Sequence, residues 1–497
     1  MNINSNIYRT IFICIICAGL IFHQSCTTSR LEKFNSKIEQ FGTDGTISSD
    51  EWKKLVEIIN RNLDDIAFAK FVTGNEVDQR KIEDYLNKKG YTIESEHSVP
   101  MTKAINIYIE NSGSMFGFVN GNTGFKNTLT KLIVDLKSNG YPEEYINFHF
   151  INQKITPITI SGKLEDYPIS LSGATLKDND SNDSNINEIY KQILENTSDS
   201  VMSILLSDCV YSVHKDIVNN DVEGALKIWE TKTVGVFNDI LKNKNLATLL
   251  VQLTSDFTGN YYTKDNQPIS LNKDLVPYYI TVIGNENELQ KFDFVNRLDG
   301  FQNKFVFTTQ DYSNNAFYSV LNSKEDNGTY KQSRNQEKKS NPNVIHSIEG
   351  IRVRGNNDPF TFSLAINLHK IPVDNEYIIE KKNYIVEKGD YQVLSILPFD
   401  KNLLSPNELN KLEKANTYPS HLIIIQSTSN IFNELKLSLK KNTPKWIYQW
   451  STNDDTNITD IPTHTFGLKY LAEGISEAYK NNSKNENYIT FTINIKQ

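Results

Sequence analysis

Cysteine is scarce in this chain. Only four of the 497 residues are cysteines, and two of them, Cys14 and Cys17, lie in an apolar stretch near the N-terminus. Cys26 and Cys209 alone cannot supply the set of disulfides that small exported domains use in place of a large core. Hydrophobic residues make up 38% of the chain, so the sequence predicts domains held together by buried apolar cores.

A basic footprint is also missing. The formal net charge is −8, from 52 Lys and Arg against 60 Asp and Glu, and no Lys/Arg stripe stands out. Proteins that bind nucleic acid neutralise phosphates with clustered positive side chains. The composition therefore predicts that nucleic acid is not a partner.

Recognisable catalytic patterns are absent as well. The sequence has no Gly-x-Ser-x-Gly elbow and no phosphate-binding loop, and no two histidines have the i, i+4 spacing of a helical zinc site. No nucleophile stands beside an evident base. We therefore do not expect an enzyme.

The N-terminus has the pattern of an export signal. Arg9 precedes an almost continuous apolar stretch, 10–22, which is too short for an ordinary membrane span. The following His23-Gln24-Ser25-Cys26 resembles the lipobox of bacterial lipoproteins, which implies a signal peptide over 1–25, lipidation of Cys26 and a membrane-anchored protein, with the outer membrane or cell surface favoured. An ordinary secretory signal and an uncleaved anchor are the alternatives.

The remaining chain divides into four ranges by composition. We predict a tether and helical segment over 26–98, in which Ser48 and Glu51 have the spacing of a capping box. An alternating strand and helix pattern follows over 99–300, then a polar linker over 301–344. The range 345–497 is rich in strand patterns and predicts a β-sandwich or an α+β domain.

The alternating range predicts the fold class most directly. Apolar strand runs begin near 105, 146, 201, 247 and 277, and helical patterns begin near 125, 186, 225 and 286. Such alternation is typical of an α/β domain with a doubly wound, mostly parallel sheet.

One loop in this range carries oxygen side chains at alternate positions. The strand 105–109 ends at Glu110, and Ser112 and Ser114 follow with Gly113 between them. Ligands of parallel sheets bind just past the carboxyl ends of the strands. Three oxygen side chains on one such loop suit a hard divalent cation such as Mg²⁺.

The same loop resembles the metal-binding loop of von Willebrand factor A domains, which are also known as integrin I-type domains. The family pattern Asp-x-Ser-x-Ser stands here as Glu110-Asn111-Ser112-Gly113-Ser114, with Glu in place of Asp. The resemblance spans about 99–298. It implies a second acid after a later central strand, and Ser207-Asp208-Cys209 matches except that Cys209 stands where the family has glycine.

The resemblance also implies a third ligand, usually a threonine just before a helix. Ser184 is our choice because it precedes a predicted helix start, and Thr175 is its competitor. A partner carboxylate completes the cation's shell in the family, which implies protein–protein binding.

Together these patterns predict a lipid-anchored binding protein that contacts an envelope or surface protein through a divalent-cation site. A metal-free scaffold subunit of an envelope assembly is an alternative. A glycan-binding lipoprotein is another, because Trp446, Tyr448 and Trp450 would share one face if they lay on a strand. A core face is the favoured reading of those aromatics.

Overall fold

The computed structural model describes most of the chain after residue 29. The described ranges are 30–43, 45–63, 65–73, 76–93, 102–176, 185–211, 221–313, 316–333, 343–353, 358–415, 419–457 and 463–496. The predicted signal peptide, Cys26 and Ser184 lie outside them. No helix in these ranges is both long enough and apolar enough to cross a bilayer.

The chain forms two compact units, Met1–Ser98 with Asn410–Tyr418 and Val99–Leu409 with Pro419–Gln497. The elements of the first unit before residue 98 are helix α1 (30–41), strand β1 (Thr46–Ile47), α2 (Ser49–Asn60), a 3₁₀ helix (Ile66–Phe71), β2 (Val72–Thr73), β3 (Glu76–Val77), α3 (Gln79–Lys88) and β4 (Thr92–Ile93).

The first unit has its own small core, in agreement with the predicted helical segment. Trp52, Leu55 and Ile59 are buried on one side of α2 and pack with Phe34 and Phe71. The predicted capping box is confirmed, because the Glu51 carboxylate accepts a 3.0 Å hydrogen bond from the Ser48 amide.

The second unit is built on a seven-stranded sheet. Its strands are β5 (Ala104–Glu110), β6 (Ile146–Ile151), β7 (Ile155–Ile158), β8 (Val201–Ser207), β9 (Ala247–Tyr262), β10 (Pro268–Gly284) and β11 (Phe301–Phe307). Their spatial order is β11-β9-β10-β8-β5-β6-β7. Successive side chains of β5 alternate between two buried clusters, with Ile107 and Ile109 in one and Tyr108 in the other.

The predicted mostly parallel sheet is only partly correct, because the sheet is mixed. Strand β5 is parallel to β6 and to β8, whereas β7, β10 and β11 are antiparallel to their neighbours. The reason is the connection between β9 and β10. Strand β9 continues to Tyr262 and β10 already starts at Pro268, so the two strands form one long hairpin. Strand β10 then lies between β8 and β9.

Helices cover both faces of this sheet. In chain order the helices of the second unit are α4 (Gly124–Ser138), α5 (Tyr167–Ser170), α6 (Gly173–Leu176), α7 (Ile186–Glu195), α8 (Val222–Leu241), α9 (Glu286–Leu289), α10 (Asn375–Ile379), α11 (Pro406–Ala415, whose last residues fall in the first unit), α12 (Lys445–Gln449) and α13 (Leu468–Asn481). Short 3₁₀ helices occur at Gly113–Val119, Glu143–Tyr145, Leu164–Asp166, Gln290–Arg297, Lys381–Asn383 and Lys401–Leu403.

The described C-terminal part contains two larger sheets and a two-stranded sheet. Its strands are β12 (Tyr318–Leu321), β13 (Thr329–Gln332), β14 (Ser347–Arg352), β15 (Thr361–Ile366), β16 (Tyr384–Lys388), β17 (Tyr391–Pro398), β18 (His421–Ser427), β19 (Leu435–Lys440), β20 (Ser451–Thr452), β21 (Thr465–Phe466) and β22 (Asn487–Lys496). The larger sheets have the orders β12-β15-β18-β17 and β13-β14-β22-β19-β16, and β20 pairs with β21. Both larger sheets contribute to one apolar cluster, as the faces of a β-sandwich do.

This C-terminal part shares its core with the seven-stranded sheet. The Tyr479 hydroxyl on α13 lies 2.8 Å from the Thr248 hydroxyl on β9, and the Tyr279 hydroxyl on β10 lies 2.9 Å from that of Thr465. One buried cluster contains residues of β5, β8, α8, α13 and β22. The ranges 99–300 and 345–497, which we predicted as separate domains, therefore pack around a common core.

One local prediction differs from the structure. The range 301–344, predicted as a polar linker, contributes strands β11, β12 and β13. Residues 445–449, whose aromatics would have shared one face only on a strand, form the short helix α12. Trp446 is buried and Tyr448 is exposed, so the rings do not form one flat sugar-binding platform.

Candidate functional site

The two predicted acids leave the sheet at the same edge. Strands β5 and β8 are adjacent and parallel, and Ile109 pairs with Leu206. Glu110 is the next residue of β5, and Asp208 directly follows β8. The predicted adjacency of these strand ends is confirmed. We call Glu110, Ser112, Ser114 and Asp208 the strand-end site.

The Glu110 carboxylate is buried and is held from the neighbouring strand. Its side chain is 1% exposed, and its Oε2 accepts a 2.5 Å hydrogen bond from the Ser207 hydroxyl. The Ser207 oxygen in turn accepts from the Cys209 amide at 2.8 Å. Sequence reasoning missed Ser207, although it directly precedes the predicted acid and belongs to the same Ser-Asp pattern.

The two loop serines and Asp208 form a second hydrogen-bonded chain. The Ser114 hydroxyl hydrogen-bonds the Asp208 carboxylate, and the Ser112 and Ser114 oxygens lie 2.9 Å apart. Either of the two serine hydroxyls can donate to the other. The Val210 amide also donates to Asp208 Oδ1 at 3.1 Å.

Asp208 carries a buried charge among neutral partners. Burial raises the pKa of its carboxyl above the ordinary value, and the Ser114 hydroxyl and the Val210 amide act in the opposite direction. In the described part of the chain, the ion pairs and hydrogen bonds of Asp208 include no Lys, Arg or His. A cation beside it would stabilise the ionised form.

Cys209 follows Asp208 in a backbone conformation that usually favours glycine. Its φ is +56°, in the left-handed region that most side chains avoid. Its thiol is fully buried, 4.0 Å from the Tyr190 hydroxyl, and burial raises its pKa. Cys209 therefore fills the core behind the site as an unreactive thiol.

The third predicted ligand is not placed by the structure. Ser184 lies outside the described residues. Its competitor Thr175 lies in α6, and Leu176 of that helix accepts a 3.4 Å hydrogen bond from the Asn111 side chain. Helix α6 thus adjoins the loop, while the Thr175 hydroxyl is engaged with Ser172, donating to its carbonyl and accepting from its amide.

Asn152 is a further residue that sequence reasoning missed. It directly follows β6, the third parallel strand, and Ile151 pairs with Glu110. Its side chain is 6% exposed, and neither its Oδ1 nor its Nδ2 has a hydrogen-bond partner in the structure as described. A polar residue directly after a predicted strand was the available signal.

The long β9–β10 hairpin packs over the loop and buries it. A Cβ atom on Gly117 would lie 2.2 Å from the Phe257 ring, and one on Gly259 would lie 3.2 Å from Gly117 Cα. Side chains of β9 also cap α4, because Ser255 Oγ and Asp256 Oδ1 accept from the Phe125 and Gly124 amides at 2.9 and 2.8 Å. Close backbone approach therefore fixes the loop against the hairpin.

A pocket opens beside Asp208. It has room for about one water molecule, and its lining includes Ser114, Asp208, Phe118, Phe257, Tyr261 and His464. The Tyr261 hydroxyl donates to the buried Asp455 at 3.0 Å, which ties the hairpin to the segment after β20. Of the two acids in the strand-end site, Asp208 lines this pocket and Glu110 does not.

The oxygen atoms of the strand-end site have the chemistry of ligands for a hard cation. Two carboxylates and two hydroxyls provide the oxygen ligands that Mg²⁺ prefers, and Asp208, Ser112 and Ser114 with Glu110 would hold it. No group of three or more His, Cys, Asp or Glu that could hold a metal occurs among the described residues. The site therefore depends on its serine hydroxyls.

Comparison of this chain with family models, with curated proteins and with solved structures found no match.

Proposed function

We propose that this chain is an exported, lipid-anchored protein that binds a partner protein at the bacterial envelope, with a divalent cation such as Mg²⁺ held in the strand-end site. The observation that supports the proposal most directly is the position of Glu110 and Asp208 at adjacent parallel strand ends. Both carboxylates are buried, and Ser112 and Ser114 lie on the same loop. A cation there would balance charge that the described side chains leave uncompensated at Asp208.

Metal binding is tested first, because it does not require the partner. Mg²⁺ is titrated into the metal-free chain while the melting temperature and the heat of binding are recorded. Saturation at a hundredfold excess over Kd should stabilise the folded state by about 2.7 kcal/mol. Asp208→Asn should remove the effect, because it keeps the acceptor for Val210 but loses the charge.

Asp256→Asn is the matched control. Asp256 lies near the same edge and accepts from the Gly124 amide, and asparagine keeps that cap. Mg²⁺ should stabilise this variant as it does the parent chain. Stabilisation that survives Asp208→Asn would place the cation elsewhere and would end the metal part of the proposal.

Partner binding is tested by capture from envelope extracts with Mg²⁺ or with EDTA. The captured partner should be lost in EDTA and with Asp208→Asn, and should be retained with Asp256→Asn. Capture that ignores both changes would contradict a role for the strand-end site in binding.

The lipid anchor is tested at Cys26. Acyl chains contribute about 0.8 kcal/mol per buried CH₂, so loss of the acylated residue should release the protein from the membrane. Cys26→Ala should move the chain to the soluble fraction, whereas Cys209→Ala should leave it in the membrane fraction. Unchanged membrane association of Cys26→Ala would favour an uncleaved anchor.

A metal-free scaffold is the second candidate, and a specific observation favours it. The donors from Ser207 to Glu110 and from Ser114 to Asp208 provide hydrogen bonds for both acids without a cation. On this hypothesis, chelation leaves the melting temperature and the assembly with envelope partners unchanged. The Mg²⁺ titration separates the two candidates.

A further inference from the structure

The strand-end site has little free space beside it. The adjoining pocket has room for about one water molecule, and Asp208 is 6% exposed. Mg²⁺ usually keeps several of its waters when it binds to a protein, and the carboxylate of a partner is larger than one water. A hydrated cation or a partner side chain therefore reaches Asp208 only if part of the pocket wall moves.

The β9–β10 hairpin is the part of this wall that extends beyond the sheet. Strand β11 pairs with β9 only as far as Leu253, and β8 pairs with β10 only from Tyr279 onward. In the described structure, residues 255–262 and 268–278 therefore have only each other as strand partners. A two-stranded ribbon of this kind is only marginally stable without further contacts.

A β-bulge divides this ribbon into a base and a tip. The register with β9 shifts between Asn272 and Asp274, and Lys273 lies between them with a φ of +61°. A bulge bends the strand that carries it and leaves one residue outside the ladder. Gly259 lies on the partner strand just beyond the bulge, and glycine bends more freely than other residues. We call 259–271 the hairpin tip.

The base of the ribbon is attached to α4 and to the loop before it. Ser255 and Asp256 accept hydrogen bonds from the first amides of α4. At the bulge, the Thr258 carbonyl accepts a 3.0 Å hydrogen bond from the Asn120 side chain. None of these contacts includes a residue of the hairpin tip, so the tip can bend while the base stays in place.

Asp455 holds the tip down. Its side chain is fully buried, and its carboxylate accepts from the Tyr261 hydroxyl at 3.0 Å and from the Lys264 amide at 2.8 Å. The Lys264 ammonium also lies 3.5 Å from the Asp454 carboxylate. Tyr261 is at the same time a wall of the pocket beside Asp208. One side chain thus closes the pocket and makes the hydrogen bond that keeps it closed.

We propose that the hairpin tip is a lid over the strand-end site, which bends at the bulge, is latched by Asp455 and opens before a cation or a partner side chain reaches Asp208. This inference rests on the proposed function and gives its regulation. Tyr261 and Leu271 pack in one apolar cluster with Ile109, so the closed form predominates. Entry and release of a cation share the same opening step, so opening sets both rates and leaves the affinity unchanged.

Opening is measured first by hydrogen exchange at single residues of the full, metal-free chain. The Lys264 amide reports on the latch, because its bond to Asp455 breaks when the tip lifts. Tyr261→Phe keeps the ring and removes the other latch bond, which should speed exchange of this amide about tenfold. Exchange at the same rate in the parent chain and in Tyr261→Phe would overturn the proposal.

Tyr330→Phe is the matched control. The Tyr330 hydroxyl also donates to a buried aspartate, Asp326, at 3.2 Å, but Tyr330 lies on β13 and not in the hairpin. This variant should leave the exchange of the Lys264 amide as it is in the parent chain. Equal acceleration in the two variants would reflect a general loss of stability and would contradict the latch.

Control of access is then tested with Mn²⁺, which prefers the same oxygen ligands as Mg²⁺ and is followed by electron paramagnetic resonance. Association, and release into excess EDTA, should both be about tenfold faster in Tyr261→Phe, with Kd unchanged. Tyr330→Phe should match the parent chain. Unchanged Mn²⁺ rates in a variant whose Lys264 amide exchanges faster would overturn the lid, because opening would not control access.

Asp455→Ala removes the acceptor of both latch bonds and should exceed the effect of Tyr261→Phe in both measurements. If Asp455→Ala does not fold, the conservative Tyr261→Phe decides alone. Failure of the parent chain to bind Mn²⁺ would remove the proposed metal role, whereas the latch is judged without metal by the Lys264 amide. Mn²⁺ binding with equal rates in all variants would remove the lid and leave the metal role.

Discussion

Ser207 bonds to Glu110 across two adjacent parallel strands, with 2.5 Å between the Ser207 hydroxyl oxygen and Glu110 Oε2. The same oxygen accepts from the Cys209 amide at 2.8 Å. One hydroxyl thus joins the acid at the end of β5 to the turn that carries Asp208. This contact makes the two halves of the strand-end site a single hydrogen-bonded structure.

Ser207→Ala should therefore lower stability more than an ordinary serine substitution. It removes a donor from the buried Glu110 and leaves the Cys209 amide without its acceptor, and each buried polar group left unpaired costs about 1–3 kcal/mol. The free energy of unfolding is measured by urea denaturation. Ser138→Ala, on the exposed end of α4, is the control and should stay within about 0.5 kcal/mol. Equal effects in the two variants would show that the Ser207 contact is weak.

Asp208 should make stability depend on pH. Its folded-state pKa is raised above the ordinary value of 3.8, chiefly by burial, so the folded state binds more protons than the unfolded state just above pH 3.8. Stability therefore falls as pH rises from 3.8 through the raised pKa, by about 1.4 kcal/mol per pKa unit of difference. Asp208→Asn lacks this loss.

The check is a series of urea titrations of the metal-free parent and of Asp208→Asn between pH 4 and pH 7. Relative to the parent, the variant should gain stability as pH rises, and Mg²⁺ should reduce its advantage at pH 7. A stability difference that is constant over this range would mean that Asp208 does not titrate as its environment indicates.

Asn152→Leu should raise stability. The asparagine amide is buried with neither polar atom hydrogen-bonded in the described structure, and an apolar side chain of similar size removes that cost of about 1–3 kcal/mol. Asn147→Leu, at an exposed position on the preceding strand β6, is the control and should change stability little. A loss of stability at 152 would indicate that a ligand or solvent satisfies the amide.

The contact between Gly117 and the Phe257 ring should make alanine costly at position 117. A Cβ atom there would lie 2.2 Å from a ring that is itself buried, and overpacking of this kind costs about 1–3 kcal/mol. Gly235→Ala is the matched comparison, because a Cβ atom at that position of α8 would meet open space. This variant should raise the free energy of unfolding by about 0.5–1 kcal/mol. The two variants should change the melting temperature in opposite directions, and shifts of the same sign would contradict this contact.

The sequence was most informative where local patterns decide structure. Apolar runs located β5 and β8, and the capping pattern at Ser48 and Glu51 located the start of α2. The alternating oxygen side chains after β5 located the loop that the structure brings next to Asp208. Each of these signals lies within a few consecutive residues.

Long-range pairing was beyond such patterns. Nothing in the residues of β9 and β10 indicates that β10 inserts beside β8, because either strand could occupy that position with its apolar face buried. The shared core of the two predicted domains has the same cause, since the contact between Thr248 and Tyr479 joins residues 231 positions apart. Asn152 was missed because a buried amide looks like an ordinary loop residue in sequence.

Helix α13 lies near the C-terminus, yet it packs on a sheet whose first strand begins at Ala104. Contacts over such separations form late in folding. A chain emerging from the ribosome therefore cannot complete this core until the residues of α13 have been synthesised. Truncation even shortly before residue 468 should leave an aggregating product, and C-terminal tags should be placed beyond Lys496 with a flexible spacer.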